Sequence, residues 1–133
     1  MNTGHVALAV VVSGIAVSLT DWVFFGVLFH DKYLVHPEVW RSPGKGEAPA
    51  IIGSTLLGFV TCGAFVTACP AFHIAGIKQT LEFALAAWLI APLPLLITNA
   101  LFIKLHPLTV LAHALGWLAK LCVVAVVTAV LVA

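Results

Sequence analysis

Apolar residues fill four long runs of this chain, and charged residues are confined almost entirely to the segments between them. No Asp, Glu, Lys or Arg occurs in residues 1–20, 48–77 or 83–103, and residues 105–133 contain only Lys120. Each run supplies the roughly 20 helical residues that cross a hydrocarbon core about 30 Å thick. The pattern therefore predicts an all-α fold, an integral membrane four-helix bundle. The helices are expected near residues 6–29, 50–71, 81–103 and 107–133.

Composition strengthens this prediction. The chain has 133 residues, of which 62% are hydrophobic and only 8% are charged, whereas about 25% of the residues in a soluble domain are charged. The four runs leave little sequence for anything else, so residues 1–133 are interpreted as a single transmembrane domain. A net charge of +1 is too small to favour nucleic acid, and the expected partner is the lipid bilayer.

The basic residues predict the orientation of the helices. Those on the side of the first loop are Lys32, Arg41, Lys45 and Lys104. The opposite side has only Lys78, and basic residues favour the cytoplasm. We therefore expect both termini outside, with loops 30–49 and 104–106 in the cytoplasm. The aromatic residues Tyr33 and Trp40 suggest that loop 30–49 lies at the membrane interface.

Two prolines lie in the middle of the third predicted helix, at Pro92 and Pro94. Each removes a backbone donor, and its ring collides with the preceding turn. We therefore expect the third helix to be kinked at this point.

The fourth predicted helix contains a single polar stripe. Its members are Thr109, His113, Gly116 and Lys120. Steps of four, three and four residues place them on one face of an α-helix. Polar residues inside a membrane turn toward the interior of a bundle, so this stripe predicts a buried polar site.

Three other helices carry polar residues at similar depths. From the cytoplasmic surface, Asp21 is about nine residues deep, between His113 at about six and Lys120 at about thirteen, and the rise is 1.5 Å per residue. Asn99 of the third helix is about five residues deep. A lone charge at the bilayer centre costs about 2.5–3.5 kcal/mol, which favours pairing of Asp21 with Lys120. We interpret Asp21, Asn99, His113 and Lys120 as candidate binding residues.

The sequence leaves the role of this cluster open. It is compatible with a proton relay, with an anion site at Lys120, or with an ion pair that only fixes the register of the helices. Whether Asp21, His113 and Lys120 contact one another depends on the rotation and tilt of the helices, which the sequence does not give.

Small and hydroxyl-bearing residues mark the expected contacts between helices. They are Gly14 and Ser18 in the first helix, and Ser54, Gly58 and Thr61 in the second. Lipid gives helices no hydrophobic reason to associate, so close approach depends on residues of this kind.

No pattern of catalytic or metal-binding residues occurs. The first loop contains His30, Asp31, His36 and Glu38. Their spacing matches no zinc-binding pattern, and three cysteines within predicted helices do not form a disulfide framework. We therefore expect no metal, no cofactor and no enzymatic activity.

Two aromatic-rich stretches carry a resemblance to a known family. They are residues 21–29, Asp-Trp-Val-Phe-Phe-Gly-Val-Leu-Phe, and residues 37–41, Pro-Glu-Val-Trp-Arg. The chain resembles an uncharacterised family of small bacterial four-span membrane proteins, classed as a domain of unknown function. The resemblance implies a four-helix bacterial membrane protein and implies no activity.

Three functions are compatible with these features. The buried charges favour a homo-oligomeric module that binds or transports a proton or a small ion or solute. The shortage of charge and of soluble sequence also suits an accessory or assembly subunit of a larger membrane complex. A membrane enzyme that acts on lipid through His113 or the first loop has the least support, because no catalytic spacing accompanies those residues.

Overall fold

The described part of the chain is almost entirely helical, with short non-helical links such as residues 72–75 and 103–106. The computed structural model describes residues 2–31 and 47–132. Helix α1 covers Thr3–Asp21 and continues directly as a π-helix over Trp22–Leu28. The remaining helices are α2 (Glu47–Ala71), α3 (Gly76–Ile90), α4 (Pro92–Phe102) and α5 (Pro107–Leu131).

These elements form four helices that are long and apolar enough to cross a membrane. Within the described residues they cover Thr3–Leu28, Ala48–Ala71, Gly76–Phe102 and Pro107–Leu131, and we refer to them as the first to fourth spans. They confirm the predicted all-α, four-helix membrane fold. The third span begins at Gly76 rather than near Leu81, because Gly76 adopts a φ of +73° after the extended Ala75 and starts the helix there. Most of the predicted interfacial loop lies outside the described residues.

The prolines interrupt the third span, as the sequence predicts. Helix α3 ends at Ile90, Ala91 leaves the helical region with φ −122° and ψ −70°, and Pro92 begins α4. Proline is tolerated in the first turn of a helix, where its missing N–H has no intrahelical acceptor. The third span is therefore two helices joined at Ala91.

The first and fourth spans occupy the centre of the fold. The fourth span packs against the other three, and the first packs against the second and the fourth. The buried core between them is built from small and medium apolar side chains: Ala9, Val17, Cys62, Phe65, Val66, Cys69, Ala84, Leu121, Val124 and Ala125. The outer faces carry exposed apolar side chains such as Leu57 and Phe102, and in a membrane these faces contact lipid.

One hydrogen bond joins the third span to the fourth. The indole Nε1 of Trp88 donates to the backbone oxygen of Ala114 at 2.8 Å. Trp88 lies one turn before Pro92, so the bond fixes α3 to α5 just ahead of the break.

Replacing Trp88 with phenylalanine is expected to lower the free energy of unfolding by about 0.6–1 kcal/mol, since it removes this donor and keeps most of the ring. Unfolding in mixed detergent micelles, followed by circular dichroism, measures the change. Trp22→Phe is the matched control, because Trp22 is 65% exposed. Equal losses from the two variants would show that the hydrogen bond contributes nothing.

Candidate functional site

Asp21 and Lys120 face each other across the contact between the first and fourth spans. Successive spans alternate in direction, so these two run antiparallel. Each Cα–Cβ bond leans toward the N-terminus of its own helix. The side chain of Asp21 therefore leans toward the middle of the first span, and the side chain of Lys120 leans toward the start of the fourth span. Because the two helices are antiparallel, these side chains lean toward each other.

The two side chains form an ion pair. Lys120 Nζ lies 2.7 Å from Asp21 Oδ1, and the side chains are 14% and 22% exposed, respectively. Lys120 is close to the middle of α5, about 20 Å from the start of that helix at 1.5 Å per residue. The structure thus brings together the two charges that the sequence placed within the membrane.

Charge attraction alone holds the carboxylate oxygen. Oδ1 of Asp21 is buried, and among the described residues it accepts no hydrogen bond of acceptable geometry. Its short contact with Lys120 is therefore an ion pair without the alignment of a hydrogen bond. On its other side the ammonium lies 4.7 Å from the centre of the Trp117 ring, within the range of a cation–π interaction.

The π-helix begins immediately after Asp21. Its wider turns are shown by the bond from Phe29 N to Phe24 O, at 3.0 Å. Two consecutive side chains, Phe24 and Phe25, pack beside Gly116 of the fourth span. A Cβ atom at Gly116 would lie 3.5 Å from Phe25 Cζ and 3.7 Å from Phe24 Cδ1, which are ordinary contact distances. π-Helical turns are rare and occur frequently at functional sites.

His113 lies on the same face of the fourth span as Lys120, two turns nearer the start of α5. Its ring centre is 4.7 Å from that of Phe25, with the planes tilted by 36°. The first span therefore contacts the polar stripe at two levels, through Asp21 at Lys120 and through Phe25 at His113.

The second span packs against the first through residues that are buried on both helices. Cys62 is fully buried in the core, as is Ser13, whose hydroxyl donates to Ala9 O at 2.6 Å.

Two of the expected packing residues join the first and second spans. A Cβ atom on Gly14 would collide with the ring of Phe59, and one on Gly58 would lie 3.5 Å from Val17 Cγ1. The two helices approach closely at Gly14 because that position lacks a side chain, whereas Gly58 leaves room for a methyl group at ordinary contact distance.

Other candidates lie outside the pair. Asn99 is half-buried on α4, and its side chain has no hydrogen-bond partner among the described residues. The hydroxyls of Ser18, Ser54 and Thr61 donate to carbonyl oxygens of their own helices. Ser54 is exposed rather than packed between helices. From Ala48 onward, the buried side chains of α2 begin only at Cys62, so the part of α2 that contains Ser54 faces outward.

Two residues of this region were not identified as site residues from the sequence: Phe25, which contacts His113, and Trp117, which contacts Lys120. Trp117 could have been found, because it precedes Lys120 by three residues and shares its helix face. Phe25 could not, since its orientation depends on the π-helix. Among the described residues, no three or more His, Cys, Asp or Glu side chains form a group able to hold a metal ion. The loop residues His36 and Glu38 lie outside that part of the chain.

Comparison with known proteins identifies one family. The family model described as protein of unknown function (DUF1761) matches residues 8–129, which is nearly the whole chain. This match confirms the resemblance to an uncharacterised family that residues 21–29 and 37–41 suggest. No curated protein and no solved structure matches the chain.

Proposed function

We propose that this chain, which belongs to the DUF1761 family of proteins of unknown function, binds a proton or a small ion at the Asp21–Lys120 pair and moves it across the membrane. The observation that carries the proposal is a buried carboxylate oxygen that lies against Lys120 and accepts no hydrogen bond from the described residues. An ion pair that serves only as architecture offsets its desolvation with further hydrogen bonds to the remaining lone pairs. Asp21 Oδ1 lacks such bonds within the described structure, so the pair is suited to opening.

The chemistry of the pair suits ion exchange. A proton can neutralise the carboxylate of Asp21, and an anion can neutralise the ammonium of Lys120. Both side chains keep some exposure, so neither is sealed in the core. From Lys120, the polar face of the fourth span continues through His113 and Thr109 toward the start of α5, which gives an ion a polar route to one side of the membrane.

The proposal includes a location and an assembly. We place the protein in the bacterial inner membrane with both termini outside, which is the orientation that its basic residues favour. We further propose that it works as a homo-oligomer, because four helices alone rarely enclose a pathway.

In liposomes that contain the purified protein and a trapped pH-sensitive dye, Asp21→Asn is expected to lower proton flux at least tenfold, to the rate of protein-free liposomes. The amide keeps the size of the side chain and does not take up a proton near neutral pH. Glu82→Gln is the matched control, because Glu82 forms an exposed pair with Lys78 at 3.7 Å and is expected to retain the flux.

Native mass spectrometry of the same samples checks assembly, with identical copies expected in both variants. Equal proton and anion fluxes in the wild type and Asp21→Asn would contradict a transport role for the pair. Recovery of the chain with a second, different protein would instead indicate an accessory subunit.

A further inference from the structure

Asp21 and Lys120 are the only formally charged residues in three of the four spans. The first span contains only Asp21, the fourth only Lys120, and the second, over Ala48–Ala71, contains none. The third span has Lys78 and Glu82, which pair with each other near its start and are 86% and 63% exposed. The site therefore holds one negative and one positive charge and is neutral overall.

Other titratable groups near the pair do not change this balance. His113 lies two turns from Lys120 on the fourth span, where it contacts Phe25, and Cys62 is buried in the second span. An imidazole and a thiol are both mostly uncharged near neutral pH. Asp21 and Lys120 are therefore left to compensate each other.

Neither charge is easily changed by itself. A proton on Asp21 leaves the ammonium of Lys120 without a counter-charge, and an anion beside Lys120 meets an ionised carboxylate. An uncompensated charge in the membrane interior is strongly disfavoured. The arrival of both species together keeps the site neutral and leaves the ammonium of Lys120 protonated.

We infer that the site takes up one proton and one small monovalent anion together, an inference that rests on the proposed function and names its ligands. The proton bonds to a carboxylate oxygen of Asp21 and converts it to a carboxylic acid. The ammonium of Lys120 keeps its three protons and exchanges the carboxylate for the anion. The net charge of the site is zero before and after.

The surroundings of Lys120 restrict the size and charge of the anion. Trp117 covers one side of the ammonium at 4.7 Å, and Asp21 occupies another at 2.7 Å. An anion that takes the place of the carboxylate has similar size and the same single charge. Chloride and nitrate meet this description. Both are anions of strong acids, so neither crosses lipid unaided as a neutral weak acid.

Proteoliposomes with equal pH on both sides and an inward chloride gradient test the inference. We expect proton uptake driven by the chloride gradient and matched one to one with chloride entry. Because the transfer is electroneutral, clamping the membrane potential with potassium and valinomycin is expected to leave the rate unchanged. Nitrate is expected to replace chloride.

Substitutions test whether this flux depends on the Asp21–Lys120 pair. Lys120→Met and Asp21→Asn are expected to reduce it to the rate of protein-free liposomes, and Lys78→Met is expected to retain it. The stoichiometry and the response to potential are measured on the wild-type protein, so the inference remains testable if a variant does not assemble.

Three results would overturn the coupling. Proton flux that follows the membrane potential and ignores chloride would exclude it and leave the proposed function intact. Chloride flux without proton flux would likewise exclude the coupling and leave the proposed function intact. The absence of any protein-dependent proton, chloride or nitrate flux would overturn both the inference and the proposed function.

Discussion

Replacing Lys120 with methionine is expected to lower the free energy of unfolding by about 3–5 kcal/mol, because it leaves the carboxylate of Asp21 buried without a counter-charge. Methionine keeps the length and apolar character of the lysine stem, so the packing against Trp117 is largely conserved. Asp21→Asn is expected to destabilise the protein in the same direction, since it leaves the ammonium unpaired. Unfolding in mixed detergent micelles, followed by tryptophan fluorescence, measures both losses.

The double variant Asp21→Asn/Lys120→Met is the informative member of the series. Once both charges are gone, no uncompensated charge remains, and the free energy of unfolding is expected to return to within about 1 kcal/mol of the wild type. The same variant is expected to be inactive in ion transport. Recovery of stability without recovery of flux would separate the function of the pair from its contribution to the architecture.

The exposed pair Lys78–Glu82 supplies the control for this series. Its two side chains are 86% and 63% exposed, and an exposed pair at i,i+4 contributes about 0.3–0.5 kcal/mol. Lys78→Met and Glu82→Gln should therefore change stability far less than the buried replacements. If the double variant Asp21→Asn/Lys120→Met were as unstable as the two single variants, the charge explanation would be contradicted. Lost packing at Asp21 and Lys120 would then explain the destabilisation.

The main features of the fold follow from simple sequence rules. Four charge-free or nearly charge-free runs predict four spans because an apolar membrane admits little else. The same rules indicate that Asp21 and Lys120 lie at nearby depths, since each helical residue adds 1.5 Å. The break at Ala91 is likewise predictable, because proline removes a donor wherever it occurs.

The details of the site depend on information that periodicity does not contain. The π-helix after Asp21 changes the direction of every side chain from Trp22 to Leu28, so an α-helical projection does not show that Phe25 contacts His113. Helix rotation likewise decides that Ser54 faces outward while Gly58 packs against Val17. These choices result from packing among all four spans, and the sequence of one helix does not encode them.

The structure also shows that fewer polar residues meet than their predicted depths in the membrane allow. Asn99 is predicted at about the depth of His113, yet its side chain has no hydrogen-bond partner among the described residues. The charged core of the site is instead formed by the two spans that pack at the centre of the fold. Depth indicates which residues are able to meet, and the contacts between helices decide which do.

Gly14→Ala is expected to destabilise the contact between the first and second spans by about 1–3 kcal/mol, the usual cost of overpacking a close contact. A Cβ atom at this position overlaps the ring of Phe59, so either the ring rotates or the helices separate. Separation would draw α2 away from the first span. Unfolding in mixed micelles measures the loss, and Phe59→Leu in the same chain is expected to restore part of it.

Gly63→Ala is the matched control for this prediction, because nothing lies within 4 Å of a Cβ built at Gly63. Alanine there is expected to be neutral or to stabilise the helix by up to about 1 kcal/mol. Equal effects at the two glycines would show that the close approach at Gly14 is not required.

Gly14 lies two turns before Asp21, so Gly14→Ala is expected to reduce stability while it leaves the ion flux per folded molecule nearly unchanged. A loss of flux at Gly14 as large as that of Asp21→Asn would instead mean that ion transport depends on the position of the second span.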